Sequence, residues 1–117
     1  MRHLAKGKKF NRLRGDRISF IRNLANDVIR AGSIETTETR AKAVKPVVEK
    51  LITIAKKQDL ASRRLILSRV HNPKIAQKLY EELGIRYADR KGGYLRILKI
   101  QKTRKRDGVR MAKVEFV

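Results

Sequence analysis

The sequence predicts an α+β fold: a single small domain with elements in the order α-β-α-α-α-β-β and a basic extended N-terminal arm. Three observations predict it. A chain of 117 residues with 41% apolar content holds enough hydrophobic side chains for one compact core and hardly for two. Between about residues 16 and 84 the apolar residues recur at helical spacing, interrupted by residue types that cap helices. From Leu95 onward they alternate with polar ones instead, which is the period of a strand. The predicted division is residues 1–15 as the arm and 16–117 as the domain, with a basic hairpin tip near 102–110.

The arm, MRHLAKGKKFNRLRG, has six basic residues before the first acid at Asp16. Its apolar residues Leu4, Phe10 and Leu13 follow no helical period, so it predicts a segment ordered by a partner. Fully extended, fifteen residues span up to about 50 Å, enough to reach well past the edge of the domain.

From Asp16 the pattern is helical. Ile18, Ile21, Ala25, Val28 and Ile29 share one face, Ser19, Asn23, Asn26 and Arg30 lie opposite, and Gly32 suits a C-cap. SIETT places β-branched residues at strand spacing. Thr37 then suits the N-cap of a second helix over about 38–57, with Ala41, Val44, Val48, Leu51, Ile52 and Ala55 as its buried stripe. Pro46 has no amide to bond to the carbonyl of Lys42, which predicts either a kink or a helix that starts near Lys45. Asp59 suits the cap of a third helix reaching about Val70. Asn72 and Pro73 form an N-cap and first-turn proline for a fourth, whose stripe is Ile75, Ala76, Leu79, Tyr80 and Leu83, with Gly84 as its end. After RKGGY come two strands, one through Leu95–Ile100 and one in MAKVEFV, joined through Asp107-Gly108 as a tight turn.

Charge bounds the function. With 31 Lys+Arg against 11 Asp+Glu the formal net charge is +20, a field that draws polyanions and opposes compaction. A nucleic acid is the expected partner, and membrane and small-molecule substrates are not. No cysteine is present, which removes disulfides, thiolate zinc sites and cysteine nucleophiles. No apolar run suits a signal-peptide core or a membrane span, so the expected location is cytoplasmic. His3 and His71 have no acid or nucleophile fixed nearby. Glu81 and Glu82 point about 100° apart on a helix and cannot face each other across one cleft. The pair Gly92-Gly93 lacks the spacing of either common phosphate-loop motif. The residues therefore predict no catalytic site, no metal site and no cofactor.

What remains is phosphate-contact chemistry. Arginine forks onto phosphate and stacks on bases, lysine acts as a mobile point charge, and the chain holds both in near-equal number. Clusters carry this reading further than single charges. The arm offers Arg2, His3, Lys6, Lys8, Lys9, Asn11, Arg12 and Arg14. The segment Arg90-Lys91-Gly92-Gly93-Tyr94-x-Arg96 offers glycines that admit a phosphate ridge, flanking cations, and a Tyr94 ring for stacking on a base or ribose. The alternative there is a plain glycine turn with Tyr94 in the core. Single lysines such as Lys56, Lys57, Lys74 and Lys78 read as solubilising charges on helix faces.

The residues also resemble a family. MRH, Asn11-Arg12, Arg22-Asn23-Leu24-Ala25, Ile34-x-Thr36-Thr37, Ala41-Lys42, Leu51-Ile52-Thr53-x-Ala55-Lys56, Arg63-Arg64-Leu65, Lys78-Leu79, Arg86-Tyr87 and Arg90-x-Gly92-Gly93-Tyr94-x-Arg96-Ile97-Leu98-Lys99 together resemble the bacterial large-subunit ribosomal protein seventeen family, in order along essentially the whole chain. The resemblance implies a structural constituent of the large ribosomal subunit with no enzymatic role. Its implied partners are large-subunit (23S-type) ribosomal RNA and neighbouring large-subunit proteins near the exit region. It implies a small mixed three-stranded sheet, and it adds Arg17, Arg22, Asn23, Arg63 and Arg64 to the RNA-binding set. The chain departs from the family at Asp16, Leu95, Phe10 and Pro46; for Asp16 the expected role is helix capping. Two other readings compete: a chromosome-associated DNA-binding module, which charge alone would equally serve, and an RNA-modifying enzyme, which needs a catalytic cluster.

Overall fold

The computed structural model describes residues 9–117, apart from the side chain of Lys102. Helix α1 (Arg14–Ala31) leads into β1 (Ser33–Thr37), α2 (Glu38–Ala55) and α3 (Leu60–Val70). Helix α4 (Pro73–Lys78) runs on through a π-helical turn (Leu79–Leu83) into α5 (Gly84–Arg86). Strands β2 (Leu95–Thr103) and β3 (Arg110–Phe116) complete the chain.

The helix ends follow local chemistry. The Thr37 side chain accepts from the amide of Arg40, Asp59 from Ser62, and Asn72 from Lys74 and Ile75, each satisfying a donor that the first helical turn leaves free. Gly32, at φ 82°, closes α1 by donating its amide to Val28. Helix α1 itself begins two residues before Asp16, with Leu13 at the N-cap and no side-chain cap. Asp16 is thus a first-turn acid set against the positive end of the helix rather than the cap, and Arg14 and Gly15 of the predicted arm are helical. Helix α2 passes through Pro46 from Glu38 onward, so a start near Lys45 is overturned. Pro46 and Lys42 both lie on its exposed side, where the missing hydrogen bond faces solvent.

The buried stripe of α2 is the centre of the molecule: Ala41, Val44, Val48, Leu51, Ile52 and Ala55 pack against α1, α3, the π-turn and the sheet. On α1, Asn26 is buried rather than opposite the core, because its Nδ2 donates to the Val70 carbonyl at the end of α3 at 3.2 Å. Ile18, assigned to the buried face, is 48% exposed.

Gly84 does not end the fourth helix. It is helical at φ −61°, and a Cβ there would stand 2.7 Å from the Ala55 carbonyl oxygen. The glycine is needed for close approach to α2, and the π-turn before it has its own anchor. Gln58 Nε2 donates to the carbonyls of Ala55 and Tyr80 at 2.8 and 2.7 Å, and the Tyr80 hydroxyl donates back to the Gln58 carbonyl at 2.9 Å.

The three strands lie in the order β1-β3-β2, both pairs antiparallel. The mixed sheet is therefore corrected: the last strand enters between the other two, antiparallel to each. Ile34, Val114 and Ile97 align across it on one face, with Val114, Ala112 and Leu95 fully buried. The hairpin between β2 and β3 is longer than a tight turn. Arg104 and Val109 close it, the amide of Gly108 at φ 64° bonds back to Arg104, and an irregularity between Ile100 and Thr103 precedes it.

Candidate nucleic-acid interface

Arg2, His3, Lys6 and Lys8 lie outside the described residues. The root of the arm is described and is fastened to the fold. Phe10 and Asn11 adopt left-handed backbone, and Arg12 folds back to donate to the Phe10 carbonyl at 2.9 Å. Phe10 packs on Phe20 of α1 with ring centroids 5.2 Å apart, while the Arg12 and Arg40 guanidiniums lie 4.0 and 5.0 Å from the Phe20 centroid. Phe20 thus sets where the arm leaves the domain. Lys9, Asn11 and Arg14 are exposed beside this anchor.

Arg17 and Arg22 of α1 meet Lys50 of α2 and Arg69 of α3 around one groove, with Phe10 at its lip. Asn23 is exposed on α1. Arg63 and Arg64 are exposed on α3 and belong to no common cluster with these; Arg63 lies over the Tyr80 ring at 5.5 Å.

The glycine segment departs most from expectation. Tyr94 is 2% exposed, so its ring offers no stacking platform and the core alternative is correct. It lies 5.2 Å from the ring of Tyr87, which in turn packs on Phe116. Its hydroxyl accepts from Lys56 Nζ at 2.9 Å and donates to the Arg90 carbonyl at 3.3 Å. Lys56 also donates to that same carbonyl, so the end of α2 clamps the turn. The positive φ of Gly92 and Gly93, 149° and 62°, swings the chain so that Tyr94 points inward. The surface left outside is Arg90, which donates to the Gly92 carbonyl at 3.1 Å, together with exposed Lys91 and the glycine backbone.

Arg96 is committed across the sheet to Glu115 at 2.6 Å, and holds that carboxyl below its ordinary value with help from Lys113. At the hairpin tip the Arg104 guanidinium forks onto Asp107 and lowers its carboxyl likewise, while Lys105, Arg106 and Arg110 are exposed with no ion pair among the described residues. Tyr87 is displaced the other way: burial raises its hydroxyl.

Sequence reasoning missed Lys56, Asn26 and Phe20. Each owes its role to a residue distant in the chain, and the only local signal was an aromatic ring near a basic arm. Among the described residues no helix is long and apolar enough to cross a membrane, and no three His, Asp or Glu side chains are grouped to hold a metal ion.

A family model described as "Ribosomal protein L17" matches residues 20–117. Among curated relatives, the "Large ribosomal subunit protein bL17" of Persephonella marina is 47% identical over 118 residues, covering 100% of this chain and 95% of the relative. The protein of that name from Gemmatimonas aurantiaca is 46% identical over 117 residues, covering 100% and 98%. That from Thermus thermophilus is 43% identical over the same length, covering 100% and 99%. With the fold, the charge and matches that span the chain from end to end, this protein belongs to the ribosomal protein L17 family.

Proposed function

We propose that this protein is a structural, non-enzymatic constituent of the large ribosomal subunit, located with it in the cytoplasm and supporting translation by binding 23S-type ribosomal RNA. The contacts in this reading run from the arm, with Arg2, His3, Lys6, Lys8, Lys9, Asn11, Arg12 and Arg14, over Arg17, Arg22 and Asn23 of α1 and Arg63 and Arg64 of α3, to Arg90, Lys91 and the backbone of Gly92 and Gly93. Residues 1–15 act as the RNA-binding arm and the rest as the body, and neighbouring large-subunit proteins near the exit region complete the surroundings. Exposed Arg96 flanks this surface while paired with Glu115, and Tyr94 supports it from within the core.

The carrying observation is unneutralised charge in a family of ribosomal proteins. Ion pairs among the described residues engage Arg30, Lys42, Lys45, Arg96, Lys99, Arg104 and Lys113, and 11 acids cannot balance 31 bases. Such a surface is stable in a compact particle only when phosphates face it.

Sedimentation tests the assignment: the native protein stays with the large subunit through a high-salt wash, and release into the free fraction under those conditions would overturn it. Competition binding tests the chemistry. With on the order of 6–10 phosphates engaged, affinity falls by roughly 10³–10⁵ between 50 and 200 mM salt, and at fixed salt folded ribosomal RNA is preferred to duplex DNA of equal charge. Equal affinity for the two would favour the chromosome-associated reading instead.

A further inference from the structure

The groove between α1, α2 and α3 has a construction that phosphate contact alone does not require. Its volume is about 780 Å³, within the roughly 300–1,000 Å³ of pockets that hold small molecules. The floor is aliphatic, built from Ile18, Ile21, Ala25, Val47, Leu51 and Val70. The rim carries Arg17, Arg22, Lys50 and Arg69, no acid lines it, and none of these four has an ion-pair partner among the described residues.

Asn26 lines the same groove and is 7% exposed. Its Nδ2 donates to the Val70 carbonyl, which fixes the orientation of the amide. The other atom, Oδ1, is then a buried acceptor with no hydrogen-bond partner among the described residues. A buried polar atom left unpaired is costly and calls for a donor.

An occupant must therefore bring an apolar body, a hydrogen-bond donor and negative charge. One nucleotide carries all three: a flat base face, an exocyclic amino group and a phosphodiester. The alternatives available within this protein fail on charge, since its own arm and a second copy are both strongly basic and would meet a basic rim. An aliphatic side chain from another protein would fill the floor but leave both the Asn26 oxygen and the four cations without partners. We infer that the α1–α2–α3 groove receives a single unpaired, amino-bearing nucleobase of the bound RNA, with Asn26 Oδ1 accepting from the amino group and Arg17, Arg22, Lys50 and Arg69 holding the flanking phosphates. This rests on the RNA-binding reading above and adds to it a specific subsite.

The test compares four RNA hairpins at fixed salt by fluorescence anisotropy with the full chain: one with a single bulged adenosine in the stem, one with an abasic residue there, one with purine riboside there, which lacks the amino group, and one fully paired. The expected order is bulged adenosine tightest, at least about tenfold over the abasic hairpin, with purine riboside roughly tenfold weaker than adenosine. Ala43→Leu narrows the groove from the half-buried side of α2 and suits a helix; it erases the preference for the bulge while leaving affinity for the paired hairpin unchanged, with thermal melting confirming the fold. Equal binding of the bulged and abasic hairpins by the wild-type chain overturns the subsite and leaves the RNA reading standing. Failure to bind any of the hairpins overturns both. If a peptide of alternating Glu and Leu shifts the Asn26 side-chain amide resonance and the bulged hairpin does not, the groove belongs to a protein partner and the nucleobase assignment is wrong.

Discussion

Tyr94 sits where three parts of the chain meet: its ring on Tyr87, its hydroxyl between Lys56 and the Arg90 carbonyl. Tyr94→Phe keeps the ring and loses both hydroxyl bonds, so thermal or urea unfolding should show a loss of about 1 kcal/mol. Tyr94→Ala removes the ring as well and should cost about 3–5 kcal/mol, with RNA affinity preserved in whatever fraction stays folded. A variant that melts normally but loses RNA binding would show that the ring works outside the core. Gly84 offers a second test at this scale. The Cβ of Gly84→Ala would collide with backbone and with Gln58, so despite the better helix propensity of alanine the substitution should destabilise by about 1–3 kcal/mol. The sequence offered Tyr94 a core position only as an alternative and assigned Gly84 no packing role. A tyrosine after two glycines and a glycine after a helical stripe look alike whether they face solvent or a neighbour, and here the neighbours are 38 and 29 residues away, Lys56 and Ala55.

The elements that could be read in advance are those whose ends are decided within three or four residues. Thr37, Asp59 and Asn72 cap as their types suggest, and Gly32 closes α1. The sheet's direction could not be read this way, because pairing Ser33 with Glu115 depends on the whole intervening chain. The arm root lay between these cases: its charges suggested a free segment, whereas Phe20 fastens it. Ion pairs and caps at the element ends also set the response to acid. Glu38 is held below its ordinary value of 4.5 chiefly by Lys42, Asp59 below 3.8 by its bonds to Ser62, and Glu115 below 4.5 by Arg96. A carboxyl lowered by folding contributes stability that is present above its ordinary value and is lost as pH falls through the folded one. Melting followed from pH 6 to about pH 3 should therefore decline below about pH 4.5, and Glu115→Gln should flatten part of that decline. Asp59 is exposed, and Glu38 and Glu115 are half-buried with their cationic partners in solvent, so each contribution is small and shrinks with added salt.

At the scale of the molecule, the position of β3 in the middle of the sheet governs the order in which the fold is completed. Both neighbouring strands precede it in the chain and neither pairs with the other. During synthesis α1 to α5 can gather around α2 as they emerge, since helical contacts are local and fast to form. The sheet cannot begin until Arg110–Phe116 has been made, for until then β1 and β2 have no partner and their edges stand open. The topology thus predicts assembly in two stages, a helical body first and a sheet locked by its last strand. A chain stopped at Val109 should accordingly show protection from hydrogen exchange in α2 and none in β1 or β2. In the complete chain those two strands, separated by 57 residues between Thr37 and Leu95, should gain protection in a single step, because one inserted strand supplies the hydrogen bonds of both.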